Sequence, residues 1–136
     1  MPEAALVVTL LLASATVADA RDLAIEVTIR NAGREAVRLN ALAFPYAAAV
    51  LEVRTAAGAS VSLVPPGMPP VDDGVTGRID LAPGAAELFS YSGAVLFDAP
   101  LAPGRYAIRF HAALQDGSRG TDGLASAWVP FTVSGS

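Results

Sequence analysis

Residues 23 to 30 alternate without a break, Leu23, Ile25, Val27 and Ile29 standing against Ala24, Glu26, Thr28 and Arg30. A period of two sends successive side chains to opposite faces of an extended backbone, so this segment is a strand with one face in a core and one in water. It stops at Asn31-Ala32-Gly33, where a glycine is free to take the positive φ of a tight turn, and "EAVRLNAL" then resumes with Val37 and Leu39 facing inward. The two runs form a predicted hairpin. "AVLEVRT", "AAG" and "SVSLV" repeat the order of strand, turn and strand.

The same punctuation governs the rest of the chain. "PPGMPPVDDG", from Pro65, holds four prolines, which remove backbone donors and forbid ladder pairing, so it is an exposed connection. The tetrapeptide Leu-Ala-Pro-Gly occurs twice, at Leu81 to Gly84 and at Leu101 to Gly104. Proline presets φ for the first central position of a turn and glycine admits positive φ at the second, so Gly84 and Gly104 mark corners between strands. Tyr106 follows the second corner and opens "YAIRF", the place where sandwich domains put a tyrosine whose hydroxyl bonds back to the corner backbone. Seven to eight short strands with regularly spaced turns, and no long helical stripe, predict an all-β fold: an antiparallel, immunoglobulin-like β-sandwich. Trp128 falls on the last strand rather than on the third, and there is no cysteine pair, so the antibody branch itself is not indicated.

At 136 residues the chain suits a single domain, residues 1–136. Hydrophobic residues make up 53% of it, yet no stretch reaches the roughly 20 consecutive apolar residues of a membrane helix. All nine basic residues are arginines and thirteen are acidic, a formal net charge of −4 that repels phosphate backbones and anionic lipid. Neither nucleic acid nor a membrane surface is expected as a partner. With no cysteine, disulfides, thiolate nucleophiles and thiolate metal sites are all excluded.

"ALVVTLLLASATVADA", ending at Ala20, imitates a secretory signal with a small-x-small cleavage site. The residues ahead of the apolar run are Met1, Pro2 and Glu3, however, with no Lys or Arg before Arg21, whereas a signal needs a positive n-region. Valine, threonine and leucine from Leu6 to Leu12 instead suit a first strand, with Thr16 to Arg21 connecting it to the second. The expected compartment is therefore the cytoplasm, secretion being the alternative.

No catalytic pattern is present. His111 is the sole histidine, without the further donors a zinc site needs, and there is no HExxH, GxSxG or phosphate-cradling glycine loop. The chain is not expected to be an enzyme, and no cofactor or metal is expected. Two loops are candidates for binding. In the first, Pro66 and Pro69 brace Met68, so an apolar tip would lose little entropy on meeting a partner. The second, "LQDGSRGTDGLAS", carries Asp116, Ser118, Arg119 and Asp122 in a connection longer than the usual two to five residues of a hairpin. Asp116, Ser118 and Gly120 alternate faintly like a calcium loop, but the further acidic ligands are missing; whether residues 115–124 bind calcium stays open.

Taken in order, "DLAIEVTIRNAGREAVRLN", "LEVRTAAGASV", "IDLAPGAAELFSYSGAVLF" and "APGRYAIRF" resemble the non-catalytic β-sandwich region that precedes the zinc domain of aspzincin (deuterolysin-like, peptidyl-lysine) metalloendopeptidases. The likeness runs over about residues 5 to 110. Its elements are the hairpin at Asn31-Ala32-Gly33, the corner at Leu81 to Gly84, the stretch Ser92-Gly93-Ala94 and the closing Gly104-Arg105-Tyr106. The zinc-binding helix has no counterpart, so the resemblance implies a stand-alone relative of a protease-associated domain and carries over no catalytic residue.

Three functions are compatible with these observations. The first is a binding module that acts on a peptidase, as inhibitor or pro-domain-like partner, through its loops. The second is a lectin-like module using exposed Tyr46 and Tyr91 as stacking surfaces and loop carboxylates for sugars, although a sugar site usually wants a tryptophan platform and Trp128 alternates in phase with Phe131 only loosely. The third is a self-assembling structural domain that forms a homodimer through a strand edge.

Overall fold

The computed structural model describes residues 6–40, 44–45, 47–64, 78–112 and 124–135. Over these residues the chain is an antiparallel β-sandwich of immunoglobulin-like form. Strands β1 (Leu6–Leu12), β3 (Ala24–Asn31) and β7 (Ala86–Ser92) make one sheet, in the order β1-β3-β7. The facing sheet runs β2-β10-β8-β5, from Thr16–Val17, Val129–Val133, Gly104–Ala112 and Leu51–Thr55, with β9 (Leu124–Ala125) against the far end of β8. A separate ribbon joins β4 (Val37–Asn40) to β6 (Arg78–Leu81), and a single helical turn, α1 (Ala47–Val50), leads into β5.

The alternation in residues 23–30 survives intact: Ile25, Val27 and Ile29 are fully buried while Ala24, Glu26 and Arg30 face water. Strand β3 is the middle of its sheet, flanked by β1 over seven residue pairs and by β7 over seven more. The apolar opening stretch is therefore an edge strand. One of its faces covers the core through Leu10, while Val7 and Leu11 lie on the solvent side, 46% and 56% exposed. The connection after it also pairs: Thr16 and Val17 run parallel to Thr132 and Val133, so the chain passes from one sheet to the other between β1 and β3.

The hairpin expected at Asn31-Ala32-Gly33 does not form. Strand β4 pairs with β6, Leu39 opposite Ile79 and Val37 opposite Leu81, and β3 keeps β1 and β7 as its neighbours. Leu39 does face inward, fully buried, and Val37 is half-buried. Gly33 does not adopt positive φ; its N–H donates to Asn31 Oδ1 at 2.9 Å, a local Asx turn that redirects the chain instead of folding it back.

The two Leu-Ala-Pro-Gly corners use their glycines differently. At the first, Ala85 N–H donates to Ala82 O at 2.9 Å with Gly84 at φ +83°, as a type II turn with proline and glycine at its centre requires. At the second, Gly104 has φ +153° and already belongs to β8 opposite Val133, so it opens a strand rather than closing a turn. Tyr106 donates its hydroxyl to Ala102 O at 2.6 Å, and its ring stacks on Phe131 with centroids 5.5 Å apart. The corner bond is as expected, and the residue is half-buried.

The return arm "SVSLV" makes one bridge, Ser60 with Arg54, and a bond from Val61 N–H to Val53 O at 2.9 Å, rather than a full strand. The first residues of "AVLEVRT" are the end of α1. Between the sheets one cluster of apolar side chains is centred on Phe110, Phe131, Ile108, Val27 and Ile29, with Phe44 edge-on to both Phe89 and Phe110 at 4.9 and 5.3 Å. Edge-to-face rings set the positive rim of one against the negative face of the other. At the opposite corner Asp19 caps the turn Ala20–Asp22 by accepting Arg21 N–H. The side-chain hydrogen bond from Arg21 holds the Asp19 carboxyl below its usual range. Its contribution to stability is therefore present above the unfolded pKa and lost as pH falls through the folded value.

Two tyrosines invite opposite expectations. Tyr106→Phe removes a bond whose acceptor water can partly reach, so unfolding in urea is expected to show a loss of about 0.5–1 kcal/mol. Tyr91 has a buried hydroxyl with no hydrogen-bond partner, and its desolvation pushes the phenol well above its ordinary pKa. Tyr91→Phe discards a polar atom that folding strips of water without compensation, so stability is expected to stay level or rise by about 1 kcal/mol. A clear loss in Tyr91→Phe would mean that the hydroxyl is paired.

Candidate functional site

Pro66, Met68 and Pro69, and likewise Asp116, Ser118, Arg119 and Asp122, lie outside the described residues, as does Tyr46. Of the remaining sequence candidates, His111 is exposed on β8 opposite Ala125. Tyr91 points its buried hydroxyl inward, contrary to the expectation of an exposed stacking surface. The reason is the pleat: Tyr91 pairs with Ile25, a core position, and shares its face of the sheet. No three His, Asp or Glu side chains converge among the described residues as a metal ion would require.

The polar feature that stands out is on the outer face of the second sheet, and it is assembled by register. In β5 the inward residues are Leu51 and Val53, both buried, which turns Glu52 and Arg54 outward. In β8 Ile108 and Phe110 face the core, turning Arg109 outward. Antiparallel pairing sets Glu52 directly opposite Arg109, and Arg109 Nε donates to Glu52 Oε1. Arg54 pairs with Ala107, whose methyl group leaves room above it for a long side chain to lean along the sheet.

Trp128 completes the arrangement. It lies just ahead of β10 rather than on it, half-buried, and with Phe131 and Val133 facing the core its ring stands on the same outer face. The guanidinium carbon of Arg54 is 4.1 Å from the ring centroid and that of Arg109 is 4.7 Å away. Both distances place a cation within the attraction of the ring quadrupole, worth about 0.5–1 kcal/mol apiece at a partly exposed site. The Glu52–Arg109 pair adds a similar or smaller amount, since both side chains are open to solvent.

Around these side chains is a groove of about 280 Å³, walled on the far side by the return arm through Gly58, Ser60, Val61 and Leu63. Among the described residues that line it the charge is +2 from the arginines and −1 from Glu52, a local excess of +1 in a chain whose net charge is −4. Among the described residues the Arg54 guanidinium has its stacking contact and no hydrogen bond or carboxylate partner. Such a group binds planar oxyanions through paired N–H donors and stays protonated near neutral pH. The alternation of "LEVRT" and "YAIRFH" was enough to turn Glu52, Arg54 and Arg109 outward. Their meeting with Trp128 depends on which strands are neighbours, for which no local signal exists.

A second groove, about 470 Å³, lies beside β7 and β6 and is lined by Phe44, Pro45, Ile79, Leu88 and Phe89 among others. It is mostly apolar, and Leu88 at its rim is 57% exposed.

Neither the search of protein families nor that of curated proteins finds a match. Among solved structures the chain is similar to the CARDB domain of the PF1109 protein from Pyrococcus furiosus, a structure described as a complex with di-metal ions. That similarity has a TM-score of 0.46 and 16% identity, over 98% of this chain and 89% of that one. Among the described residues, no helix is long and apolar enough to cross a membrane.

Proposed function

We propose that this protein is a non-catalytic binding module that recognises its partner on the outer face of the β5-β8-β10 sheet, around Trp128. The observation that carries this reading is the assembly of Arg54, Arg109 and Glu52 about one solvent-facing tryptophan. Tryptophan and arginine are the residue types that dominate binding energy at interfaces, and here a rigid sheet holds them in place. A purely structural surface gains little by placing against a ring a guanidinium that has no counter-ion among the described residues.

The resemblance to the sandwich region of aspzincin peptidases supports a peptidase as the partner, with the Met68 loop as a further contact. The lectin-like alternative is less well supported, because two guanidiniums already occupy the π-surface that a sugar ring would need, and Tyr91 is turned inward. Self-assembly is supported by β1, an edge strand with Val7 and Leu11 exposed.

The experiment is a binding screen of the whole chain against serine peptidases, metallopeptidases and a glycan set, with inhibition assays in parallel. Any partner found is expected to bind Trp128→Ala at least tenfold more weakly while the melting temperature changes by no more than a few degrees. Met68→Asp tests the loop in the same format. A partner that binds Trp128→Ala as tightly as the parent would move recognition away from this face.

A further inference from the structure

The groove beside Trp128 has a chemistry specific enough to name a class of ligand, and the inference rests on the reading of that face as the binding surface. We infer that it takes the carboxylate of a small organic acid, held by the free edge of the Arg54 guanidinium and accompanied by an apolar portion against Val61 and Leu63.

The argument begins with Arg54. A guanidinium held over an indole by cation–π attraction is restrained in position by the ring, and N–H donors that no protein acceptor takes are available to a ligand. Arg54 is in this state, 4.1 Å above Trp128, with none of those donors engaged among the described residues. Arg109 is not equivalent, for its Nε is already given to Glu52. Among the described residues one arginine is therefore neutralised by a carboxylate and the other is not. The Arg54 guanidinium matches one further carboxylate in both charge and shape, since a planar fork of two N–H groups meets two carboxylate oxygens side by side.

The charge balance also selects among anions. With two guanidiniums and one carboxylate among the described residues, the groove carries +1, which a monoanion brings to zero. A phosphate dianion would leave a surplus negative charge next to Glu52, and like charges at such separations repel. An uncharged ligand would leave the Arg54 donors unpaired in a groove it had dried. The walls supply the rest: Val61 and Leu63 are half-buried on the return arm, and a volume of about 280 Å³ suits a group of amino-acid size.

The chain contains a single tryptophan, so its fluorescence reports on this groove alone. Four probes would be titrated at constant ionic strength and neutral pH: N-acetyl-leucine, N-acetyl-leucinamide, propionate and inorganic phosphate. N-acetyl-leucine is expected to change the emission saturably, with a midpoint in the millimolar range or below, as fits so small a ligand. The amide, which differs only in lacking the charge, is expected to bind at least tenfold more weakly, and so is phosphate. Propionate isolates the carboxylate from the apolar portion, and a midpoint several-fold higher than that of N-acetyl-leucine is expected.

Arg54→Gln should weaken N-acetyl-leucine at least tenfold, and Arg54→Lys should fall between the two, keeping the charge but losing the planar fork. Melting curves establish that both variants are folded. The inference is overturned if N-acetyl-leucine gives no saturable change up to 50-fold the expected midpoint, if the amide or phosphate binds as well as the acid, or if Arg54→Gln binds like the parent. Should the carboxylates fail while a partner from the binding screen is still lost in Trp128→Ala, this inference falls and the wider reading of the face stands.

Discussion

Asn31→Ala is expected to cost about 2–4 kcal/mol, measured by urea unfolding, which is more than any other polar substitution among the described residues. Asn31 is completely buried at the end of β3. Its Nδ2 donates to Glu35 O at 2.8 Å and to Leu81 O at 2.9 Å, and its Oδ1 accepts from Gly33 N–H. Its main chain is engaged as well, Asn31 N–H with Ala85 O and Gly84 N–H with Asn31 O. One side chain thus ties the departure of β4 to the Pro-Gly corner between β6 and β7, fifty residues away. Alanine would leave two carbonyls and one N–H without this partner, the Leu81 carbonyl in a buried setting and the Glu35 carbonyl and Gly33 N–H in a partly buried one, at roughly 1 kcal/mol for each and more for the buried carbonyl.

Asn31→Asp sharpens the test because it keeps the shape. A carboxylate facing the carbonyl oxygens of Glu35 and Leu81 is repelled, whereas the protonated acid can donate to one of them, so its folded pKa would lie above the unfolded value near 4. A group with a raised folded pKa gives stability that is present below the unfolded pKa and is lost as pH rises through the folded one. Asn31→Asp is therefore expected to recover part of its deficit on acidification from pH 7 toward pH 4, relative to the parent at each pH. Equal pH profiles for the two proteins would show that the side chain does not face those carbonyls.

Gly93→Ala is expected to be as damaging, about 3 kcal/mol or enough to prevent accumulation of folded protein, and for a steric reason. A β-carbon at Gly93 would stand 2.0 Å from Ala20 O and 3.1 Å from Ala20 C. Both obstacles are backbone, in a turn that is itself held by Leu23 O accepting Gly93 N–H at 2.8 Å. Neither side can rotate out of the way, so the two short turns Ala20–Asp22 and Gly93–Val95 must separate. Overpacking of this kind typically costs 1–3 kcal/mol where side chains can adjust, and more where they cannot. A loss under 1 kcal/mol would mean the two turns are not in contact. The Ser92-Gly93-Ala94 stretch has a local logic too, with Ser92 Oγ accepting Ala94 N–H to cap the turn.

These two positions mark where local information ends. The period of two in residues 23–30 made β3 legible, because a strand with one dry face must alternate, and β3 does so at every residue. The corner at Ala82–Ala85 was legible for the same kind of reason, since proline and glycine restrict φ within the turn itself. The register of those strands was not legible. Asn31-Ala32-Gly33 has the composition of a hairpin turn, and the chain nevertheless leaves β3 to pair β4 with β6, because the buried Asn31 side chain bonds Leu81 and commits the corner to the distant strand.

The candidate site follows the same division. That Glu52, Arg54 and Arg109 face water is a consequence of alternation within β5 and β8, which each strand determines alone. That Arg109 meets Glu52, and that both arginines stack on Trp128, depends on pairing between segments more than fifty residues apart in the case of β5 and β8. Side-chain period is a property of one strand's backbone geometry. Strand adjacency is decided by which set of edges lets both sheets close over Phe110 and Phe131 with their backbone donors and acceptors paired in ladders, a condition on the whole chain that no single stretch of it contains.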